Sequence, residues 1–120
     1  MIDRERIEEL FARSRQLLQE GRATWNIDDV CRWSFFFVDA DRERLVSAGK
    51  VLERAGYEFV GLLEPDEDGD DPETIYLRVD RVERHTVDSL VARNAELDSF
   101  AASHGLANYD GMDVGAIEGP

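Results

Sequence analysis

Apolar side chains recur at three- and four-residue spacing in three stretches of the chain and dominate four shorter stretches lying between and after them. Ile7, Leu10, Phe11, Ser14, Leu17 and Leu18 fall on one stripe of a helix running from about Asp3 to Glu20, because positions three and four apart share a helical face. Asp3 suits the N-cap, where its carboxylate accepts from free amides, and Gly21 is a natural stop. A loop containing Trp25 follows to Asp29. Val30 to Val38 then reads as a strand rich in aromatic and β-branched residues. Trp33, Phe35 and Phe37 share one face and Arg32, Ser34, Phe36 and Val38 the other. Apolar groups on both faces predict a central strand.

Asp39 or Asp41 caps a second helix to about Ala55, with Leu45, Ala48, Gly49, Leu52 and Ala55 inward and Gly56 as its stop. Tyr57 to Leu63 predicts a second strand. Glu64 to Glu73 is an acidic loop, and Thr74 to Val82 a third strand, with Ile75, Leu77 and Val79 opposite Tyr76 and Arg78. Thr86 opens a third helix along Val87, Leu90, Asn94, Leu97, Ala101 and His104, and Gly105 ends it. Asn108-Tyr109-Asp110-Gly111 reads as a turn leading into a short last strand from Met112 to Ile117.

The predicted order is αβαββαβ. Setting aside the first helix leaves βαββαβ, the ferredoxin-like order, with an antiparallel sheet of order 4-1-3-2 and two helices on one face. The expectation is an α+β fold in one domain over 1–120, made of an N-terminal helix at 3–20 and a sandwich at 30–118. One sheet face is left open unless the extra helix or a partner covers it.

Charge changes what such a face can meet. The 120 residues carry 27 acidic and 14 basic side chains, a formal net charge of −13. That field repels phosphate backbones, so direct nucleic-acid binding is disfavoured. It attracts a basic protein partner and speeds the encounter. Charges at the N-terminus occupy the place where a signal peptide needs an apolar run. No apolar stretch approaches the ~20 residues that span a bilayer, so a cytoplasmic protein is expected.

Candidate chemistry is sparse. The lone Cys31 lies in an apolar stretch and reads as an inert buried thiol. His85 and His104 sit at opposite ends of one helix, about 28 Å apart by helical rise, too far to share a metal. No site is expected in which Cys31, His85 or His104 joins two other reactive groups. Asp66, Asp68 and Asp70 have the alternate spacing that begins a calcium loop, but the sixth position is Asp71 where glycine is needed and the twelfth is Leu77 where glutamate is needed. Neither a P-loop, a GxGxxG nor a GxSxG motif is present. No enzyme, cofactor or metal is predicted. Asn94 on the apolar stripe reads as a core residue tying down backbone. The candidate partner-binding residues are Trp25 and Tyr76, large side chains of the kind enriched in binding hot spots, the acidic run Asp66, Asp68, Asp70 and Asp71, and the pair Tyr109 and Asp110.

One segment carries a resemblance. His85-Thr86-Val87-Asp88-Ser89-Leu90, then Asn94-Ala95-Glu96-Leu97, then Tyr109-Asp110-Gly111, with the β-α-β-β segment before them, resemble the regulator of ribonuclease activity B family, also called the ribonuclease E inhibitor domain, over roughly Val30 to Glu118. Met112 stands where that family has a tryptophan after Tyr-Asp-Gly. The resemblance implies an α/β sandwich without catalytic activity, which binds an endoribonuclease of the ribonuclease E type and restrains its action on RNA. The residues themselves leave open a different basic target, such as a toxin met by an immunity-type protein, or a small-ligand or enzyme domain using the sheet face. From local chemistry, Asp110 and Gly111 suit a tight turn, and Tyr109 is expected at the sheet edge with its ring packed and its hydroxyl wet.

Overall fold

The computed structural model describes residues 3–64 and 74–117. Its elements are α1 (Arg4–Gln19), β1 (Cys31–Asp39), α2 (Arg42–Arg54), β2 (Glu58–Leu63), β3 (Ile75–Glu83), α3 (Val87–Ser103) and β4 (Asn108–Gly115). The strands form one antiparallel sheet of order β2-β3-β1-β4, which is the expected 4-1-3-2 read from the other edge. The aromatic strand β1 is central, as its two apolar faces require.

The helix starts follow the caps in the sequence. Asp3 accepts from the Arg6 amide, Asp41 from the Arg44 amide and Thr86 from the Ser89 amide, each satisfying a donor that has no partner within the first turn. Asp39 bonds the amides of Ala40 and Asp41 and accepts from Arg44, whose guanidinium also reaches the carbonyl of Gly105. That arginine ties the end of β1 to the chain leaving α3.

All three helices lie on one side of the sheet. Trp33, Phe35 and Phe37 of β1, with Leu77 and Val79 of β3, are fully buried beneath them. Each such side chain taken out of water contributes about 1.5–3 kcal/mol. Tyr57 meets Phe35 edge-on and Phe100 of α3 meets Phe37. Gly49 lets α2 settle closely, because a Cβ there would overlap the Phe59 ring and approach Leu77 Cδ1 to 3.1 Å. The additional helix α1 packs on this same side: Ile7 and Phe11 are buried, Phe11 stacks on Trp33 at 6.3 Å between ring centroids, and Arg4 pairs with Asp88 in the first turn of α3. Among the described residues it therefore leaves the other sheet face without a helix.

The last strand corrects the sequence reading. Asn108 to Gly111 is not a turn before β4 but the first half of it. Phe36 lies opposite Gly111 and Phe37 opposite Tyr109, so Asp110 is the extra residue of a β-bulge. Gly111 takes φ 134° to allow it. An Asp-Gly pair suits a bulge for the reason it suits a turn: both demand backbone that few side chains tolerate.

An uncovered sheet face beside a buried polar cluster

The open face follows from the strand register. Arg32, Ser34, Phe36 and Val38 of β1 stand opposite Val82, Asp80, Arg78 and Tyr76 of β3, and Leu63 of β2 stands beside Tyr76. At its centre is a carboxylate almost wholly removed from solvent, Asp80, only 2% exposed. Arg78 grips it with two bonds of 3.0 Å, and Arg32 adds a third at 3.1 Å while reaching Glu58 at 2.8 Å. Burial alone would raise the Asp80 pKa. The hydrogen bonds from Arg78, Ser34 and Arg32, with the charge of Arg78, outweigh it and hold the group below the usual carboxylate range. Around this lattice sit exposed apolar groups: Tyr76 at 37%, Val82 at 45% and Leu63 at 52%. Exposed apolar groups gathered on one sheet face are a feature of surfaces that meet a partner.

The other predicted binding residues are dispersed. Tyr76 lies on the open face. Trp25, between α1 and β1, is half-buried against the core, with its indole nitrogen enclosed and without a hydrogen-bond partner. Asp110 lies at the bulge on the β4 edge. Tyr109 is not wet: it is buried and its hydroxyl donates to Asn94 Oδ1. That expectation fails because the bulge turns Tyr109 inward, toward α3. Asp66, Asp68, Asp70 and Asp71 lie outside the described residues. Sequence reasoning missed Asp80, although Arg78 and Asp80 stand two apart on one strand face, the spacing at which side chains on a strand meet.

A second cluster corrects the expectation for the histidines. His85 does join two reactive groups: its Nε2 contacts Glu83 and its Nδ1 lies 2.9 Å from Ser89 Oγ. The linear signal was present, a carboxylate two residues before the histidine and a hydroxyl four after it. The partners explain the arrangement structurally. Ser89 Oγ also bonds the Thr86 amide at 2.8 Å, in a reciprocal cap that starts α3. Glu83 is clasped by Arg81 and Arg93, both at 3.0 Å. Desolvation opposes its charge, but His85 and the two arginines keep its pKa below the usual range. His85 is buried edge-on to Trp33. This network fastens the β3–α3 junction onto the core. His104 caps the far end of α3, bonding the Phe100 carbonyl at 3.0 Å. Cys31 is buried, and burial followed by the charges of Asp29 and Asp28 pushes its thiol pKa up. Among the described residues no group of histidine, cysteine and carboxylate side chains is arranged to hold a metal, and no helix is long and apolar enough to cross a membrane.

No individually curated protein matched the chain. A protein-family comparison did: the family described as Regulator of ribonuclease activity B matches residues 12–114, which takes in the second half of α1 and all the later elements through nearly all of β4. The match spans most of the chain, and the chain belongs to the regulator of ribonuclease activity B family.

Proposed function

We propose that this protein binds an endoribonuclease of the ribonuclease E type and restrains it by covering a basic, RNA-binding surface. It acts by association in the cytoplasm and not by catalysis. The observation that carries this reading is the sheet face on which none of the described helices lies. Tyr76, Leu63 and Val82 supply apolar contact there, and the Arg32–Asp80–Arg78 lattice supplies polar groups already fixed in place. Groups held before binding lose little freedom on association. The net charge of −13 supports a basic partner, and family membership supports a ribonuclease. Occlusion fits the charge, because a strongly acidic surface competes with RNA for the same cationic groups.

The test is cleavage of a fluorescent RNA by a purified ribonuclease E-type enzyme titrated with this protein. Cleavage should fall and level off near stoichiometry. Tyr76→Ala should raise the concentration required by roughly tenfold, as loss of an aromatic anchor does, with little change in Tm. Cleavage unaffected at saturating protein would refute the reading.

A further inference from the structure

We propose that the groove between α1 and the outer edge of β4 receives an extended, basic segment of the partner protein as an added β-strand. This rests on the reading of the protein as a partner-binding regulator and names where and how one part of that partner is held.

The backbone orientation comes from the ladder. In an antiparallel pair, successive residues alternate between exchanging both hydrogen bonds with the neighbour and turning both groups away. The Val114 amide bonds its own neighbour's carboxylate, Asp113 Oδ1, at 2.8 Å, so Val114 faces away from β1. Met112 lies two residues earlier on an unbroken stretch of the same register, opposite Phe35 as Val114 is opposite Trp33. Its N–H and C=O therefore also face outward, along a sheet edge where no strand of the described residues follows. A row of such groups is a template for another strand.

The space beside that edge is present. A groove of about 400 Å³ runs there, with Leu10 and Arg6 of α1 on one side and Met112 on the other. Gly111 lacks a side chain and so bares Phe36 to the groove floor. Met112 and Leu10 are only partly buried and pack against the core, which leaves them apolar surface for alternate side chains of an incoming strand. Asp110 and Asp113 flank the same edge and, among the described residues, Arg6 is the one cation lining it, so the groove favours positive charge. A second copy of this chain is the poorer occupant. Pairing two β4 edges would crowd the acidic residues Asp110 and Asp113 of both copies along one seam and bring together two molecules of net charge −13.

The full chain, labelled with ¹⁵N, can be titrated with a capped peptide of alternating lysine and valine, and with the same peptide N-methylated at every residue. The two carry equal charge, but only the first can donate backbone hydrogen bonds. The unmodified peptide should shift the Gly111 and Met112 signals and slow hydrogen exchange of the Met112 amide roughly tenfold or more, and N-methylation should weaken binding by roughly tenfold or more. Met112→Pro removes the Met112 side chain as well as an outward amide and is tolerable on an edge, so it is read against Met112→Ala, which loses the side chain alone: it should weaken the unmodified peptide beyond Met112→Ala and leave the N-methylated peptide as Met112→Ala does. Equal binding of the two peptides would overturn the proposal by showing attraction through charge only. So would shifts centred on Tyr76 and Val82, or a concentration-dependent dimer that protects the Met112 amide with no peptide present. The ribonuclease assay fails separately: peptide pairing at Met112 without inhibition would sink the ribonuclease reading and leave the groove intact, and inhibition without peptide pairing would do the reverse.

Discussion

The hydroxyl of Tyr109 donates to Asn94 Oδ1 at 2.6 Å, and Asn94 in turn donates from Nδ2 to the Leu90 carbonyl at 2.9 Å. Both residues are buried, so this chain of bonds joins the start of β4 to the middle of α3 where water does not compete. Removing the hydroxyl strands the Asn94 oxygen. Tyr109→Phe should therefore cost about 1–3 kcal/mol in urea unfolding, the penalty of an unsatisfied buried acceptor. Burial, followed by nearby negative groups, also pushes the Tyr109 hydroxyl well above the ordinary phenol range. A raised folded pKa means that the stabilisation is complete below the ordinary value of about 10 and is lost as pH rises through and beyond it. The wild type should lose stability in alkali more steeply than Tyr109→Phe.

Asp80 gives the opposite pH signature. Desolvation works against its charge, but bonds from Arg78, Ser34 and Arg32 keep its folded pKa below the usual value. A lowered carboxylate pKa means that the stabilisation is present above the unfolded value, about 3.9, and disappears as pH falls through the folded one. Asp80→Asn should lose about 1–3 kcal/mol at neutral pH, toward the lower end because both arginines remain partly hydrated. Below about pH 4 the gap from wild type should close. A gap that stays constant into acid would show that the charge of Asp80 contributes nothing.

Much of this framework was legible because local and long-range preferences agree. The alternation in β1 sets Trp33, Phe35 and Phe37 on one face, the apolar groups on both faces mark the strand as central, and Asp3, Asp41 and Thr86 mark helix starts by chemistry that works in isolation. What stayed hidden depends on neighbours distant in sequence. Asp110-Gly111 satisfies a turn and a bulge equally well, and only pairing with Phe36 and Phe37 decides between them. The Asp80 lattice needs Arg32 from 48 residues away. At Glu83, His85 and Ser89 the spacing was readable, but it acquires meaning only when Arg81 and Arg93 close around the carboxylate.

That last cluster yields a prediction of its own. If Ser89 serves to start α3, Ser89→Ala should cost about 1 kcal/mol, the usual price of a lost helix cap. Exchange of amides in the first turn of α3 should quicken. Any slow hydrolysis of an activated ester by the wild type should persist unchanged in the variant. Hydrolysis that vanished with Ser89, at unchanged stability, would turn the arrangement from a fastening into a nucleophilic site.

The open face and the acidic run between β2 and β3 should separate kinetically in binding to a ribonuclease partner. Tyr76 is 37% exposed on the open sheet face; if that face is the one the partner meets, Tyr76→Ala removes contact area and should act mainly by raising the dissociation rate. Neutralising Asp66, Asp68, Asp70 and Asp71 to asparagine removes four charges from a total of −13. Charges at the rim steer the encounter more than they hold the complex, so association should slow, by roughly tenfold at low salt, with dissociation little changed. Raising salt should slow the wild type toward the neutralised variant, since the Debye length falls from about 10 Å at 0.1 M to about 3 Å at 1 M. Stopped-flow association reads both effects on the same pair of proteins. An on-rate that ignores both salt and the four substitutions would mean that the acidity serves solubility, leaving the contact itself to the apolar groups around Asp80.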